Sequence, residues 1–447
     1  MKTATDERAL DAVRGAAIAL AEDDRHDALL DLIGDARFVL LGEASHGTHE
    51  FYRERARITQ RLMADKGFQA VVVEGDWPDA YRVNRFVRGL GDDPSAVQAL
   101  DGFKRFPTWM WRNTDVVDFI DWQRGFNAGR PPDERSGFYG MDLYSLQASM
   151  EAVLGYLDRI DPEAARQARE RYGCFDRFGD DSQTYGLMAG LRGAADCERE
   201  VIAMLVEMRR RAAHIGRRDG ADVEDAFDAE QNARLVKNAE AYYRSMYLSD
   251  VSSWNQRDQH MGETRGAPAR PLPRREAPAK IVVWAHNSHL GDARATEMSE
   301  RRHELNVGQR VRERWGEDQT VLVGFSTHRG SVTAASDWGA PAERKQVLPS
   351  RADSHEGLLH ASGMPRFVLP LRGSRVLADA LREPRLERAI GVIYRPETER
   401  QSHYFFARLP AQFDAVIHID ETRAVVPLER NVEWHDHELP ETYPSGM

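Results

Sequence analysis

Three short stretches of this sequence concentrate side chains that can move protons. The first is Gly42-Glu-Ala-Ser-His-Gly-Thr-His-Glu50, which carries two carboxylates and two histidines. A histidine titrates near neutral pH, so His46 can take a proton from water, and Glu43 can fix its tautomer or orient the water. Gly47 lets the backbone approach a ligand closely. His49 and Glu50 read as solvated residues of a first helical turn. The second stretch is Val73-Glu-Gly-Asp-Trp-Pro78. Glu74 ends an apolar run, a costly place for a charge without a partner, and Arg55, Arg82, Arg85 and Arg88 are candidate partners. Asp76 has the type and position to cap the following helix. The third stretch is Trp284-Ala-His-Asn-Ser-His-Leu-Gly291, where His286 and His289 share a face if the chain turns helical.

Two chemistries suit Glu43, His46, Glu74, His286 and His289. They could assemble a metal site, since imidazole and carboxylate are both metal ligands. The zincin motif H-E-x-x-H is absent, however, because Asn287 replaces its glutamate. Acid–base and hydrogen-bonding roles are the favoured reading, and no metal or cofactor is expected. Ser45 resembles a nucleophile elbow only superficially, because Glu43 stands where G-x-S-x-G needs its first glycine; a structural role is expected. No phosphate loop or dinucleotide fingerprint is visible. Phe106, Trp109, Trp111 and Trp122 read as helical core or as the wall of an apolar cleft. Trp109 and Arg112 are the candidate substrate contacts there.

These residues need a scaffold. Residues 6 to 34 read as two amphipathic helices. The apolar runs Arg37-Phe-Val-Leu-Leu41 and Ala70-Val-Val-Val73 flank a helix-spaced segment from Thr48 to Lys66, which suggests a βαβ unit and a parallel sheet. Gly137-Phe-Tyr-Gly140, Lys280-Ile-Val-Val-Trp284, Val321-Leu-Val-Gly-Phe325, Ala389-Ile-Gly-Val-Ile393 and Ala415-Val-Ile-His418 read as further strands. Residues 145–262 read as an inserted helical subdomain with a basic, glycine-containing break at 210–222. Residues 263–279 form an Arg/Pro-rich loop, so 1–144 and 280–447 are the two parts of one α/β core. Glu43, Glu74, Asp142 and His286 all follow predicted strands. Ligands of open α/β sheets bind outside the carboxyl ends of strands, so these residues can meet at one rim.

The 447 residues are 41% hydrophobic and 30% charged, which suits a globular protein with a sizeable core. With 61 Lys plus Arg against 72 Asp plus Glu, the net charge is −11, which argues against a nucleic-acid partner. The two cysteines, Cys174 and Cys197, lie in a charged helical region and give no sign of a disulfide framework or zinc site. No signal peptide or membrane-length apolar run is visible, so a cytoplasmic protein with a small-molecule substrate and no membrane partner is expected.

Taken in order, the cluster at 42–50, the arginine-rich helix after it, Glu74-Gly-Asp-Trp, Met141-Asp142 and Trp284-Ala-His-Asn-Ser-His289 resemble the erythromycin esterase family. Tyr394-Arg-Pro-Glu-Thr-Glu-Arg-Gln-Ser-His-Tyr404, Phe413-Asp414 and Thr422-Arg-Ala-Val-Val-Pro-Leu428 extend the likeness over nearly the whole chain. The resemblance implies a central, mainly parallel sheet flanked by helices, with a helical insertion. It also implies hydrolysis of an ester or macrolide lactone without an obligatory metal. His46 would be the general base, with Glu43 and Glu74 orienting the base or the water. His286 and His289 would complete the site, and Arg55 would pair with a carboxylate or contact substrate. A metal-dependent hydrolase of another natural product and a non-catalytic macrocycle binder are the rival readings.

Overall fold

The computed structural model describes residues 4–21, 25–176, 185, 196–215, 221–246, 250–264 and 278–429. Its strands are β1 (Ile18–Ala19), β2 (Phe38–Leu41), β3 (Ala70–Asp76), β4 (Gly137–Asp142), β5 (Ile281–Trp284), β6 (Thr320–Ser326), β7 (Arg329–Ala334), β8 (Glu343–Val347), β9 (Arg366–Pro370), β10 (Arg385–Arg388), β11 (Tyr404–Ala407), β12 (Ala415–Ile419) and β13 (Glu421–Thr422). Eight of them form one sheet in the order β1-β9-β12-β6-β2-β5-β3-β4. Pairing is parallel from β12 to β4. The other edge, β9 and β1, is antiparallel. This is the α/β architecture expected from the alternation of apolar runs and helical segments.

The central strands are continuous apolar runs because helices cover both faces. Alternation along each strand divides them between two cores. Val39, Leu41, Val71, Val73, Val282 and Trp284 face one core, with Phe51, Ile58 and Leu62 of helix His49–Lys66. Phe38, Leu40, Val72, Ile281 and Val283 face the other, with Val307 and Val311 of helix Val307–Trp315. Each such side chain contributes about 1.5–3 kcal/mol through burial.

The stretch read as a helical insertion carries helices Leu146–Ile160, Pro162–Tyr172, Asp196–Ile215, Ala221–Met246 and Asp250–Thr264. The first four share a third core that includes Leu146, Val153, Met204 and Val236, while Met261 of the fifth packs in the second core. Most of the expected Arg/Pro-rich loop, and residues 216–220 of the basic break, lie outside the described residues. Among the described residues, no helix is long and apolar enough to cross a membrane.

Two expectations are corrected. Ala389–Ile393 is not a strand: it makes only isolated bridges, Ile390 with Ser45 and Ile393 with Ala335. The backbone of Ile390 is spent on the loop after β2, donating to the Ala44 carbonyl and accepting from the His46 N–H. Its apolar side chains reflect packing, not sheet pairing. The cysteines, which gave no sign of a disulfide framework, form a Cys174–Cys197 disulfide with Cα atoms 5.7 Å apart. The turn after helix Pro162–Tyr172 meets the start of helix Asp196–Ile215, a meeting that local sequence does not announce.

Candidate active site

The strand order places the carboxyl ends of β2, β5, β3 and β4 side by side. Glu43 and His46 follow β2, His286 follows β5, Glu74 lies two residues before the end of β3, and Asp142 closes β4. Asn287, in the loop after β5, ties the loop after β2 to strand β6. Its backbone N–H donates to the Glu43 carbonyl at 2.8 Å. Its side chain donates to the Phe325 carbonyl at 2.8 Å and accepts from the Phe325 N–H at 3.2 Å. Only glycine fits at position 42, since a Cβ there would lie 2.1 Å from Asn287 Oδ1. Gly47 turns the loop with φ +69°, and a Cβ there would lie 2.2 Å from the Thr333 carbonyl.

His46 is held from behind. Its Nδ1 lies 2.8 Å from Glu43 Oε1, and Glu43 Oε2 lies 2.8 Å from Arg55 Nη2. A carboxylate only accepts hydrogen bonds, so in its neutral form the ring carries its proton on Nδ1 and keeps the lone pair on Nε2. Arg55 is fully buried, stacked over the rings of Tyr52 and Trp284. It pairs with a carboxylate but does not reach the cavity, which corrects its placement as a substrate contact.

His286 is the opposite tautomer. It is the N-cap of helix Asn287–Leu290, where its Nδ1 accepts from the Ser288 N–H at 3.2 Å. A backbone N–H can only donate, so the ring proton must sit on Nε2. That nitrogen is buried and makes no close hydrogen bond, the Ala44 carbonyl being a weak acceptor beside the ring. Burial and the neighbouring His46 push His286 down to about 3, so it is neutral at physiological pH. Its ring centre is 4.9 Å from that of His46.

A charged network floors the site. Arg257, from helix Asp250–Thr264, donates Nε and Nη2 to the two oxygens of Asp142 at 2.9 and 2.7 Å. Nη2 also reaches Glu74 Oε1 at 2.7 Å, and Nη1 lies 3.0 Å from His289 Nε2. Glu74 Oε2 accepts from the His286 N–H at 2.9 Å. Burial alone would raise Glu74, but His289 and Arg257 hold it well below the carboxylate range. His289 stacks on Trp254 at 4.6 Å, with its Nδ1 3.0 Å from both oxygens of Asp258. Burial opposes its charge, yet Asp258 and Glu74 raise it above the ordinary histidine value, against Arg257.

His46, Glu74, His286 and His289 line one cavity of about 320 Å³, with Asp142 and Arg257. Glu43 stands behind His46, outside the lining. Trp109 and Arg112, expected to contact substrate, do not line it. Trp109 is buried beneath the Gly47 turn, and Arg112 is paired with Asp101 and Glu429. The arginines proposed as partners of Glu74 are committed elsewhere: Arg55 to Glu43, Arg82 to Asp93, Arg85 to Asp225 and Arg88 to Glu224. Asp76 occupies an N-cap position without capping; its carboxylate accepts from Arg105 and from the Tyr144 N–H, each at 3.0 Å. Glu50 is buried and accepts from the Arg423 backbone and guanidinium, while His49 meets Asp115, so neither is simply solvated. Ser45 is buried, 2.5 Å from Thr48 Oγ1. Sequence reasoning missed Arg257 and Asp258; the unmet need of Glu74 for a cation was the available clue. Among the described residues, no group of three or more His, Cys, Asp and Glu side chains is arranged to hold a metal ion.

A family model described as erythromycin esterase matches residues 63–422. The erythromycin esterase type II of Escherichia coli is 28% identical over 149 residues, 32% of this chain and 33% of that protein. The chain thus aligns with about a third of that relative's length. A crystal structure of a Bacillus cereus protein superposes with a TM-score of 0.78 at 20% identity, covering 96% of this chain and all of that one. An erythromycin esterase variant in its open conformation superposes with a TM-score of 0.64 at 17% identity, covering 89% of this chain and 94% of that one. At these identities the structural matches establish the fold.

Proposed function

The chain belongs to the erythromycin esterase family, and from that premise we propose that it is a carboxylic ester hydrolase that opens an ester or macrolide lactone with water activated by His46. The observation that carries this reading is the pair of histidines in opposite tautomers at one cavity. His46 offers a lone pair and His286 an N–H without a close hydrogen bond, with ring centres 4.9 Å apart.

In this mechanism the substrate carbonyl lies between the two rings. His46 Nε2 takes a proton from water as the water oxygen bonds to the carbonyl carbon. Glu43, held by Arg55, stabilises the imidazolium that forms. The carbonyl electron pair moves onto oxygen, and His286 Nε2–H donates to that oxyanion. Collapse of the tetrahedral intermediate breaks the bond to the alcohol oxygen, which takes the proton back from His46. The products are an acid and an alcohol, with one water consumed. Glu74 holds the His286 backbone N–H and so fixes where His286 enters the cavity. No cofactor is called for. A cavity of about 320 Å³ accommodates the ester-bearing part of a macrolide, with the rest extending past the mouth. With a macrolide as substrate, this reaction would confer antibiotic resistance.

The test is a mass-spectrometric screen of macrolides and simple esters for addition of one water, with His46→Ala alongside. The variant should lose about 10²- to 10⁴-fold in turnover. Full activity in folded His46→Ala overturns the assigned base. Cleavage of another bond class, with no ester cleaved, overturns the reaction.

A further inference from the structure

The charges lining the cavity do not balance. Glu74 and Asp142 share Arg257, and Asp76 holds Arg105. Asp79, in the first turn of helix Trp77–Val87, lines the same cavity, and its carboxyl makes no hydrogen bond or ion pair with any described residue. Arg82, on its own helix, is bound by two hydrogen bonds to Asp93. Aromatic rings line the same cavity as this carboxyl. Gly102 packs against Asp79, so that a Cβ there would lie 3.1 Å from its Oδ1, and Phe103 follows it in the chain and lines the cavity. Phe106 and Trp338 meet edge to face at 5.0 Å on the cavity wall, and Trp338 is 55% exposed.

We propose that the cavity mouth is a cation subsite, in which Asp79 and the rings of Phe103, Phe106 and Trp338 receive a protonated or quaternary amine carried by the substrate. The inference rests on the hydrolase reading only in taking this cavity as the substrate's. His286 Nε2, buried in the same chamber without a close hydrogen bond, marks the chamber as the one a ligand enters. An amine supplies the positive charge that Asp79 lacks, and ring faces attract cations through their quadrupole. A carboxylate or phosphate would instead enter a lining whose four carboxyl groups outnumber the guanidiniums of Arg105 and Arg257 and the imidazole of His289. Burial and Asp76 push Asp79 up to about 7, against the pull of Arg105, Arg82 and Lys104. Affinity for a quaternary ammonium therefore rises as pH rises through that value, because the ionised carboxylate is the binding form.

Calorimetric titration of the whole protein with choline, and with its uncharged isostere 3,3-dimethylbutan-1-ol, tests this without requiring turnover. Choline should bind about tenfold tighter than the alcohol near pH 8.5. The preference should shrink near pH 5.5 as Asp79 protonates, below its raised value and towards the ordinary carboxyl range. Asp79→Asn should remove both the preference and its pH dependence, and Trp338→Ala should weaken choline binding while the circular dichroism stays unchanged. Equal affinity for the two probes, no choline binding at millimolar concentration, or a preference that survives Asp79→Asn overturns the subsite. Failure of the ester screen leaves these outcomes readable, so the two proposals fail separately.

Discussion

Replacing Arg257 by Met tests the charged floor of the site. Methionine keeps an unbranched apolar stem but removes the guanidinium that binds Asp142, Glu74 and His289 through contacts of 2.7 to 3.0 Å. The Arg257 side chain is 13% exposed, while Glu74 and Asp142 are 4% and 5% exposed. Removing one partner of such a buried group costs about 3–5 kcal/mol. Water entering from the cavity favours the low end, about 3 kcal/mol. The pH dependence has a definite sign. In the native protein, burial would raise both carboxyls, but His289 and Arg257 lower Glu74, and Arg257 lowers Asp142. Their stabilisation is complete above the unfolded values near 4 and is lost as pH falls through the folded values. In the variant, Asp142 loses its chief cation and is raised by burial and by the nearby Glu74, while Glu74 rises less because it keeps His289. The variant is therefore penalised most at neutral pH and relieved as the carboxyls protonate. Urea unfolding followed by circular dichroism should show a gap of about 3 kcal/mol near pH 7.5, shrinking to about 1 kcal/mol near pH 4.5. Asp142→Asn added to the variant should recover part of the loss. A gap below about 0.5 kcal/mol at neutral pH, or one that widens on acidification, refutes this account.

Two further substitutions address the His46 loop. Glu43→Gln lets His46 adopt the wrong tautomer and should lower kcat by about 10²- to 10⁴-fold with little change in KM. Steady-state kinetics on an ester from the screen checks this, and an unchanged kcat removes Glu43 from the mechanism. Gly47→Ala forces a side chain into a left-handed conformation and against the Thr333 carbonyl. It should destabilise the protein by about 1–3 kcal/mol in urea, and a change near zero would show that the loop readily rearranges.

The parts legible in sequence are those whose causes are local. β2, β5 and β6 stand out because strands buried on both faces must be apolar at every position. β9 escaped notice because its apolar centre, Phe367 to Leu369, is only three residues long, between Arg366 and Pro370 at the antiparallel edge. The five acid–base residues were visible because each lies at a strand end or a few residues beyond it. Arg257 and Asp258 lie in a charged helical stretch that resembles a solvated surface. The readable signal there was spacing: Trp254, Arg257, Asp258 and Met261 fall on one helical stripe, and that stripe faces inward. Trp254 stacks on His289, Arg257 and Asp258 bind the site, and Met261 is fully buried.

That stripe explains why the helical segment has to close onto the sheet. A buried Glu74 requires a cation, and the arginines near it in sequence are bound to Glu43, Asp93, Asp225 and Glu224. The missing charge comes from Arg257, at the far end of the helical segment and 183 residues along the chain. Glu74 can then hold the His286 N–H, and His286 can present its own ring N–H to the cavity. A change that displaces helix Asp250–Thr264 should therefore damage the chemistry at His286 even where every residue beside His46 is intact.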